Sequence, residues 1–417
     1  MHRAGGTPTG MRGDAIGSLD PVIVEQLSLV DFRNYAAADV ALGPGPNVVV
    51  GRNGQGKTNL AEAIAYLATL GSHRVAADAP LVRHGADAAV VRARLAHRDR
   101  RVLLEVQINK QGSNKARVNA AAVKPAELPR YAQVVLFAPE DLQIVRGDPS
   151  ARRRFVDQLL TQRTPRMAAV LTDYERVLRQ RNALLKSARA RGIRGDQLST
   201  LDVWDDKLVV LGSQIIDARM ALSAELGAPM ERSYAAIAGA DHGPELGWAL
   251  SVRGADPEEG DGDDGRAASE DDTVALFRSA LAAKRPAELD RGLTLVGPHR
   301  DDLVLRVRGL PVKGYASHGE SWSVALGLRL ASAELLRAES VLGDPVLILD
   351  DVFAELDADR RERLARMAAD YEQVIVTAAV EPDVPDALRA HVVRVEAGSI
   401  VGAESSGSAG PEHADVG

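Results

Sequence analysis

An eight-residue stretch with two required glycines, a lysine and a threonine constrains this chain more than any other feature. It fits the phosphate-loop pattern G-x-x-x-x-G-K-[ST] at every required position. Asn47 to Val50 predicts a buried strand before it, and Leu60 to Leu70 predicts a helix after it. The chain is therefore predicted to have an α/β fold in which strand and helix are joined by Gly51, Arg52, Asn53, Gly54, Gln55, Gly56, Lys57 and Thr58.

The residue types in this loop suit a nucleoside triphosphate. Glycines let the backbone approach phosphate oxygens closely, and the loop N–H groups together with the helix N-terminus supply partial positive charge. Lys57 adds a full positive charge, and the Thr58 hydroxyl is a ligand for Mg²⁺. We expect residues 51–58 to bind ATP with Mg²⁺, and Lys57 to be catalytic as well.

A second apolar run ends in two carboxylates. Pro345 to Leu349 is followed by Asp350 and Asp351, as is typical of a central parallel strand that opens at its carboxyl end. We expect Asp350 to share a Mg²⁺ ion with Thr58, and Asp351 to orient or deprotonate the attacking water. The alternative is a buried strand followed by a helix cap.

The segment Ser317-His318-Gly319-Glu320 precedes an amphipathic helix that runs to about Ala338. S-x-x-E alone is an ordinary capping box. Its place before the Asp350 strand resembles the signature of ATP-binding-cassette ATPases. In that superfamily the signature meets the γ-phosphate of ATP held by the other subunit. The resemblance implies an ATP-dependent homodimer in which Ser317, Gly319 and Glu320 contact the nucleotide.

A basic segment indicates a polyanionic partner. Residues 151–194 hold twelve Lys or Arg and three acidic residues, in a chain whose net charge is −7. Phosphate contacts need only positioned cations. The alternative is a charged, solvated helical face. The candidate DNA contacts are Arg152, Arg153, Arg154, Arg176, Arg179 and Arg181.

The remaining pattern predicts two halves of an ATPase head separated by a helical lobe. Alternation in Ala88 to Leu95 and in Val102 to Ile108 predicts an antiparallel β layer. A long helix is predicted to begin at Thr164-Pro165, because the apolar residues that follow keep a helical period. A second helix, roughly Asp202 to Leu226, is predicted to pack antiparallel to it. Nine acidic residues in 255–272 predict a flexible loop. The predicted divisions are a disordered extension (1–21), the first half of the head (22–138), the inserted lobe (139–290), the second half (291–401) and a disordered tail (402–417).

Two histidines have alternative interpretations. His73-Arg74, after the phosphate-loop helix, is either a contact to phosphate or nucleic acid or a solvated helix end. His299 precedes two aspartates, but Gly297-Pro298 marks a turn, which favours a structural or substrate-contact role over a metal site.

Composition restricts the chemistry and the compartment. The 417 residues include no cysteine, so disulfides, thiolate metal sites and cysteine nucleophiles are excluded, and a reducing compartment fits. No apolar run approaches the length of a membrane span, and residues 1–20 lack the apolar core of a signal peptide. We expect a cytoplasmic protein without a membrane partner.

Residues 22–401 resemble the RecF family of bacterial recombination mediators. The resemblance implies a cassette-type head with a helical second lobe and no long coiled coil, which binds single- and double-stranded DNA, including gaps and junctions, as an ATP-driven dimer. It also implies that RecR and RecO are partners in loading RecA during recombinational repair, replication-fork maintenance and the SOS response. Four segments carry it: Leu29 to Tyr35, Pro149 to Phe155, Gly297 to Asp302 and Leu349 to Asp357.

Departures from the general cassette pattern predict slow, DNA-stimulated hydrolysis. Ala378-Ala379 stands where transporters carry a switch histidine, and Glu140 and Gln143 are both candidates for the glutamine-loop position. Asp351 stands where many relatives use the longer Glu. Three alternatives stay open. One is a transporter ATPase, against which the basic insertion argues, and another is a chromosome-organising protein, which needs far longer heptad helices. The third is a structural clamp that does not hydrolyse ATP.

Overall fold

The computed structural model describes residues 22–97, 100–192, 199–255, 272–340 and 343–405. The predicted extension 1–21 lies outside these ranges, as do residues 256–271 of the predicted acidic loop and residues 406–417 of the predicted tail. Strands and helices are numbered in chain order.

The central sheet has parallel strands buried on both faces. Five strands are parallel and the last is an antiparallel edge. Leu347 and Leu349 enter one hydrophobic core and Val346 and Ile348 another, because successive side chains of a strand point to opposite faces. This explains the uninterrupted apolar run before Asp350. In spatial order the strands are β15 (Ser399–Ser405), β14 (His391–Glu396), β3 (Gly45–Val50), β13 (Gln373–Ala378), β12 (Val346–Asp350) and β8 (Val134–Phe137).

The predicted antiparallel β layer is confirmed. It covers α1 (Lys57–Thr69), which also packs on the central sheet, so that nearly every side chain from Leu60 to Ala68 is buried. α1 therefore begins at the phosphate loop and is held between two sheets. The order of the strands is β2 (Tyr35–Ala41), β1 (Val22–Phe32), β4 (Ala88–His97), β5 (Arg100–Asn109), β6 (Lys115–Val118) and β7 (Ala121–Val123).

The helical lobe is built on two antiparallel helices, as predicted. In the second helix, Asp205 contacts Arg181 and the later residue Gly212 lies against Tyr174. Because Tyr174 precedes Arg181 in the first helix, the two helices run in opposite directions. The second of these helices continues twelve residues beyond its predicted end because Met230, Tyr234 and Ile237 prolong its buried face. The helices are α2 (Leu142–Arg146), α3 (Pro149–Arg163), α4 (Arg166–Ala190), α5 (Ser199–Ala238) and α6 (Thr273–Arg291).

The lobe and the second half of the head contact each other across the predicted division near residue 290. The strand Glu245–Ala249, inside the predicted lobe, pairs with Asp302–Val307, which follows the lobe. The helix α5 packs along His318–Glu339, the helix that begins at the predicted signature. The strand that pairs with the C-terminal end of Asp302–Val307 is only two residues long, Leu310–Pro311. These elements are β9 (Glu245–Ala249), β10 (Asp302–Val307), β11 (Leu310–Pro311), the short turn α7 (Val312–Tyr315), α8 (His318–Glu339) and α9 (Ala358–Ala369).

The predicted tail begins four residues too early. Residues 402–405 belong to β15 and pair with β14 along the sheet edge, from Gly402 opposite Arg394 to Ser405 opposite His391. None of the helices in the described ranges is both long enough and apolar enough to cross a membrane.

Candidate functional site

Close packing explains the glycines at the two ends of the phosphate loop. A Cβ on Gly51 would lie 2.3 Å from the carbonyl oxygen of Val395, and a Cβ on Gly56 would lie 2.6 Å from the Tyr35 hydroxyl. Gly56 also has a φ of 121°, a conformation that residues with a Cβ rarely adopt. The loop is therefore held between β14 and the turn that joins β1 to β2.

Hydrogen bonds from two turns fix the backbone of Gln55 and Gly56. The Asn34 amide donates to the Gln55 carbonyl at 2.9 Å, and the Tyr35 hydroxyl donates to the Gly56 carbonyl at 3.0 Å. From the other side the Gly398 N–H donates to the Gln55 carbonyl at 3.0 Å. Sequence analysis gave these residues no role; the one available signal was that Asn34 and Tyr35 lie in a segment that carries the family resemblance.

Lys57 and Asp351, the predicted catalytic residues, lie together. The Lys57 side chain is only 3% exposed, and its Nζ lies 3.9 Å from Asp351 Oδ2 and 3.5 Å from Asn53 Oδ1. Arg52, Asn53 and Gly54 form the exposed tip of the loop. A buried ammonium needs negative charge near it, so phosphate oxygens that enter the loop would compete with Asp351 for Lys57.

Thr58 and Asp350, the predicted metal ligands, also meet. The Thr58 hydroxyl donates to Asp350 Oδ1 at 3.0 Å, and the Thr377 hydroxyl donates to the same oxygen at 2.5 Å. Burial raises the pKa of Asp350 to about 6, and the charge of Asp351 adds to this shift. Burial also raises the pKa of Asp351. A divalent cation would relieve this crowding of negative charge, and hard oxygen donors fit Mg²⁺.

The protein alone offers an incomplete metal shell at this position. Within the ranges that the structure describes, no cluster of three or more His, Asp or Glu side chains could hold a metal ion. Mg²⁺ is commonly bound by one or two carboxylates together with substrate phosphates and water. Thr58 and Asp350 thus fit a metal that arrives with a nucleotide.

Thr377 is a site residue to which sequence analysis gave no role. Besides donating to Asp350, its hydroxyl accepts the Asp351 backbone N–H at 3.0 Å. Asp351 has a left-handed φ of 51°, so the backbone turns sharply at the end of β12 and is held there by β13. A threonine at the end of the strand next to the Asp350 strand was the available signal.

Glu140, rather than Gln143, lies near the carboxylates. The charge of Glu140 contributes to the raised pKa values of both Asp350 and Asp351. Gln143 lies in α2 with its side-chain oxygen beside Gly147. Of the two candidates for the glutamine-loop position, Glu140 is therefore the one whose charge acts on the carboxylates.

The segment after α1 packs back against α1, so that the ring nitrogens of His73 are shielded while Arg74 stays exposed. Glu62 is fully buried and accepts from Arg33 Nε at 2.7 Å, while Arg74 Nη1 lies 3.8 Å away. Both ring nitrogens of His73 are shielded from solvent and have no hydrogen-bond partner in the described part of the chain. Burial lowers the pKa of His73, and the charge of Glu140 opposes that shift.

The predicted signature forms the capped N-terminus of α8. Ser317 is exposed; its hydroxyl accepts the Glu320 N–H at 3.2 Å, and the Glu320 carboxylate accepts the Ser317 N–H at 3.0 Å. These hydrogen bonds, with the charge of Arg308, lower the pKa of Glu320. Gly319 lies against the Arg360 guanidinium, 3.2 Å from where a Cβ would stand. The helix end is therefore ordered and open to solvent.

Within one chain the phosphate loop and the signature form two separate half-sites. No hydrogen bond or ion pair between described residues joins 51–58 to 317–320; Glu320 instead contacts Ser317 and Arg308. Each half-site is built by its own neighbours: the tip of the phosphate loop and Ser317 are exposed, while Lys57 is buried.

Sequence comparison identifies the family. A family model described as the RecF/RecN/SMC N terminal domain matches residues 23–400. A relative from Clavibacter michiganensis subsp. michiganensis, named DNA replication and repair protein RecF, is 60% identical over 394 residues, which cover 93% of this chain and 98% of that protein. The chain belongs to the RecF family.

Solved structures agree with this assignment. The recombination mediator protein RecF-ATP in the RecFOR pathway matches with a TM-score of 0.81 at 26% identity, over 93% of this chain and 99% of that chain. The Smc head domain from Pyrococcus furiosus, with an extended coiled coil and bound to the C-terminal domain of ScpA, matches in fold alone, with a TM-score of 0.50 at 15% identity over 92% and 96% of the two chains. The fold is an ABC-type ATPase head with an antiparallel β layer and a helical lobe. In the described ranges the longest helix is the 40-residue α5, with no long coiled coil.

Two of the six arginines predicted to contact DNA in this RecF-family chain are structural, which corrects the prediction. Arg152 is 4% exposed and its Nε lies 2.6 Å from Asp302 Oδ1. Arg181 is fully buried, 2.7 Å from Asp205 and 2.6 Å from Glu288. Moving either guanidinium to a ligand would leave buried carboxylates unpaired.

The other four arginines remain candidates for DNA contacts. Arg154, Arg176 and Arg179 are exposed, and the last two each pair with an acidic residue of α4. Arg153 is half-buried and donates to the Asp301 carbonyl at 2.7 Å. The accessible basic groups of the lobe are therefore fewer than the charge count of the sequence indicates.

His299 has a structural role. Its Nδ1 lies 2.7 Å from the Tyr174 hydroxyl and its Nε2 lies 3.3 Å from the Thr294 carbonyl. Burial lowers the pKa of His299 to about 3, so the ring is neutral. Because both ring nitrogens are engaged, His299 is not available as a metal ligand.

Proposed function

We propose that this protein is an ATP-dependent DNA-binding protein of recombinational repair and replication-fork maintenance, and that two copies close on DNA when ATP is bound. The observation that carries the proposal is that, between described residues, no hydrogen bond or ion pair joins the two half-sites of one chain. The relatives' name, DNA replication and repair protein RecF, and the RecF-ATP structure of the RecFOR pathway support it. The same relatives argue against a transporter ATPase.

Each composite site would hold one ATP between two copies. Residues 51–58 of one copy bind the phosphates through backbone N–H groups and Lys57, and the α8 N-terminus of the other copy, with Ser317, Gly319 and Glu320, meets the γ-phosphate. The positive end of a helix dipole favours an anion there. Because neither half-site contacts the other within a chain, the nucleotide itself joins the two copies.

Hydrolysis would use groups that are already positioned. Thr58 and Asp350 would hold Mg²⁺, which supplies charge neutralisation to the phosphate oxygens when it is bound. Asp351 orients or deprotonates the attacking water. Turnover would be slow because Ala378 and Ala379 provide no histidine beside the γ-phosphate and because Asp351 is shorter than Glu. DNA would accelerate this ATPase activity.

The cellular role follows the RecF family. The protein would act in the cytoplasm on single- and double-stranded DNA at gaps or junctions, with RecR and RecO, and would help load RecA during repair and the SOS response. Hydrolysis of ATP would then time its release from DNA.

The test is DNA binding with and without Mg²⁺ and ATP at two salt concentrations, measured by fluorescence anisotropy with a labelled gapped duplex. The expected result is ATP-dependent binding that weakens steeply between about 50 and 200 mM salt, because phosphate contacts release counterions. Asp351→Asn is expected to bind ATP and keep the DNA complex while losing turnover. The exposed Asp87→Asn is the matched control. Binding that ignores ATP and salt contradicts the proposal.

A further inference from the structure

The first turn of α8 is held from one side by Arg360, the third residue of α9. A Cβ on Gly319 would lie 3.2 Å from both Nη1 and Nη2 of Arg360 and 3.3 Å from its Cζ. Because these three distances are nearly equal, the guanidinium presents its flat face to Gly319. The glycine thus lets a charged side chain lie directly against the helix turn of the predicted signature.

A buried serine connects Arg360 to the backbone of the same turn. Ser323 is fully buried, and its hydroxyl accepts the Arg360 Nε–H at 3.1 Å. The same hydroxyl donates to the Gly319 carbonyl at 3.0 Å. Arg360 therefore acts on Gly319 twice, directly through the face of its guanidinium and indirectly through Ser323.

The other contacts of Arg360 go to Asp357, the residue that caps α9. The Arg360 backbone N–H donates to Asp357 Oδ1 at 2.9 Å, and the Arg360 guanidinium forms an ion pair with the same carboxylate. The backbone hydrogen bond and the charge of Arg360 lower the pKa of Asp357, so this carboxylate is charged at neutral pH. The start of α9 thus orients the side chain that reaches α8.

Asp357 in turn lies close along the chain to the carboxylates of the phosphate-loop half-site. It follows Asp351 by six residues, and Val352 and Phe353, which lie between them, are buried in the core. A line of contacts therefore leads from the end of β12 through Asp357 and Arg360 to the first turn of α8. It connects the surroundings of the two half-sites, although the phosphate loop and the signature do not contact each other within one chain.

These contacts restrict position more than they stabilise the fold. The side chains of Arg360 and Asp357 are 23% and 52% exposed, and ion pairs that are open to solvent contribute little to folding. The helix α8 is already stabilised by the capping box of Ser317 and Glu320 and by buried side chains such as Trp322. Groups that bind a ligand have to be held to within about 0.5 Å. Arg360 supplies such a restraint at the helix end that is proposed to meet the γ-phosphate.

We propose that Arg360 is a positioning residue for the ATP-dependent association of two copies. It fixes the first turn of α8 relative to the segment that follows Asp351, and it acts through Gly319 and Ser323 rather than by contacting the nucleotide. This inference rests on the function proposed above and deepens it. A second copy with ATP in its phosphate loop then meets a helix end that is already in place.

The test compares Arg360→Ala, Ser323→Ala and the double variant by sedimentation velocity, with saturating Mg²⁺ and ATP over a range of protein concentrations. Arg366→Ala is the matched control, because Arg366 is an exposed arginine in the last turn of the same helix. Ser323 is buried and has no surface to offer a second copy. An effect of Ser323→Ala on association is therefore transmitted through Arg360 or Gly319.

Each single variant is expected to weaken the ATP-bound dimer by about tenfold or more, the size of one hydrogen bond to a charged group. The double variant is expected to be at most about twofold weaker than Arg360→Ala, because changes at residues that share one contact are not additive. The ATP affinity of the monomer, measured with a fluorescent ATP analogue below the concentration at which dimers form, is expected to match wild type. Dimerisation of Arg366→Ala is also expected to match wild type.

The variant Arg360→Lys separates position from charge, since lysine keeps the positive charge and lacks the planar fork of arginine. A dimer as weak as that of Arg360→Ala supports a positioning role. Full recovery of the dimer by lysine would show that charge alone is needed and would overturn the inference.

Two further results overturn the inference and leave the proposed function standing. One is normal dimerisation of Arg360→Ala or of Ser323→Ala. The other is a double variant whose loss is the product of the two single losses. If wild type does not dimerise with ATP, the proposed function fails and this inference fails with it.

Discussion

Thr377 shows how one hydroxyl organises the two carboxylates of the site. It donates to Asp350 Oδ1 and accepts the Asp351 backbone N–H. Asp350 also receives the Thr58 hydroxyl. The orientation of both carboxylates therefore depends on a side chain that contacts no phosphate in the proposed mechanism.

Thr377→Val keeps the shape of this side chain and removes its hydrogen bonds. We expect the Mg²⁺ concentration for half-maximal ATP turnover to rise and turnover to fall by about 10 to 100-fold, the usual cost of losing a partner of a metal ligand. Thr377→Ser keeps the hydroxyl and is expected to stay close to wild type. Equal turnover in the Val and Ser variants would show that the hydroxyl has no such role.

Arg181 carries a positive charge in the interior of the helical lobe. It is fully buried and pairs with Glu288, which is also fully buried. Arg181→Met is expected to destabilise the lobe by about 3 to 5 kcal/mol, because a carboxylate is left unpaired in the interior. Denaturant unfolding followed by tryptophan fluorescence measures this, since Trp204 and Trp248 lie in the lobe.

The exposed Arg176→Met on the same helix is the control and is expected to have little effect, because exposed ion pairs contribute little. If the two variants unfold alike, Arg181 does not hold the lobe together, and its place among the DNA-binding candidates has to be restored.

At the residue scale, sequence predicted which residues the fold would bring together around the phosphate loop, because their spacing carries chemistry. The phosphate loop is fixed by a pattern, and Asp350 and Asp351 follow a recognisable strand. Arg152 and Arg181 were misplaced because a count of charges does not contain burial or long-range partners such as Asp302 and Glu288.

At the element scale, the hairpin between β1 and β2 supports the phosphate loop. Asn34 and Tyr35 donate to consecutive carbonyls of the loop, and Gly56 has no space for a side chain beside the Tyr35 hydroxyl. The loop is thus ordered before any nucleotide arrives, which lowers the entropic cost of binding.

The double change Asn34→Ala/Tyr35→Phe removes both supporting hydrogen bonds. Each is expected to contribute about 1 kcal/mol, so ATP affinity is expected to fall by about tenfold or more, as measured with a fluorescent ATP analogue. Tyr131→Phe is the control, because the Tyr131 hydroxyl makes no hydrogen bond within the described ranges. Unchanged affinity in the double variant would mean that the loop does not need the hairpin.

Sequence periodicity predicted most elements and missed the connections between distant ones. The strands Ala88 to Leu95 and Val102 to Ile108 were predicted correctly because their apolar and polar residues alternate. The end of α5 was predicted too early because Pro229, which usually ends a helix, lies inside it. Burial of Met230 and Tyr234 against other elements stabilises the part of the helix beyond Pro229. β9 was missed because its partner, β10, is far away in sequence.

At the scale of the whole molecule, the head is assembled from chain segments that precede and follow the helical lobe. Thr58 and Asp350 lie 292 residues apart and still share a hydrogen bond. Sequence motifs predicted this closure, because a phosphate loop needs a strand with a terminal carboxylate beside it. The packing of α5 on α8 and the pairing of β9 with β10 across the predicted boundary of the lobe were not foreseen.

The central claim is that ATP joins two copies through the phosphate loop of one and the α8 N-terminus of the other. The most direct measurement is sedimentation velocity of wild type and Ser317→Arg with saturating Mg²⁺ and ATP, with Ser113→Arg, at an exposed serine between β5 and β6, as the control. Wild type and Ser113→Arg are predicted to dimerise only with ATP, and Ser317→Arg is predicted to bind ATP and stay monomeric. A wild-type protein that remains monomeric with ATP, or a Ser317→Arg variant that dimerises normally, would contradict the account.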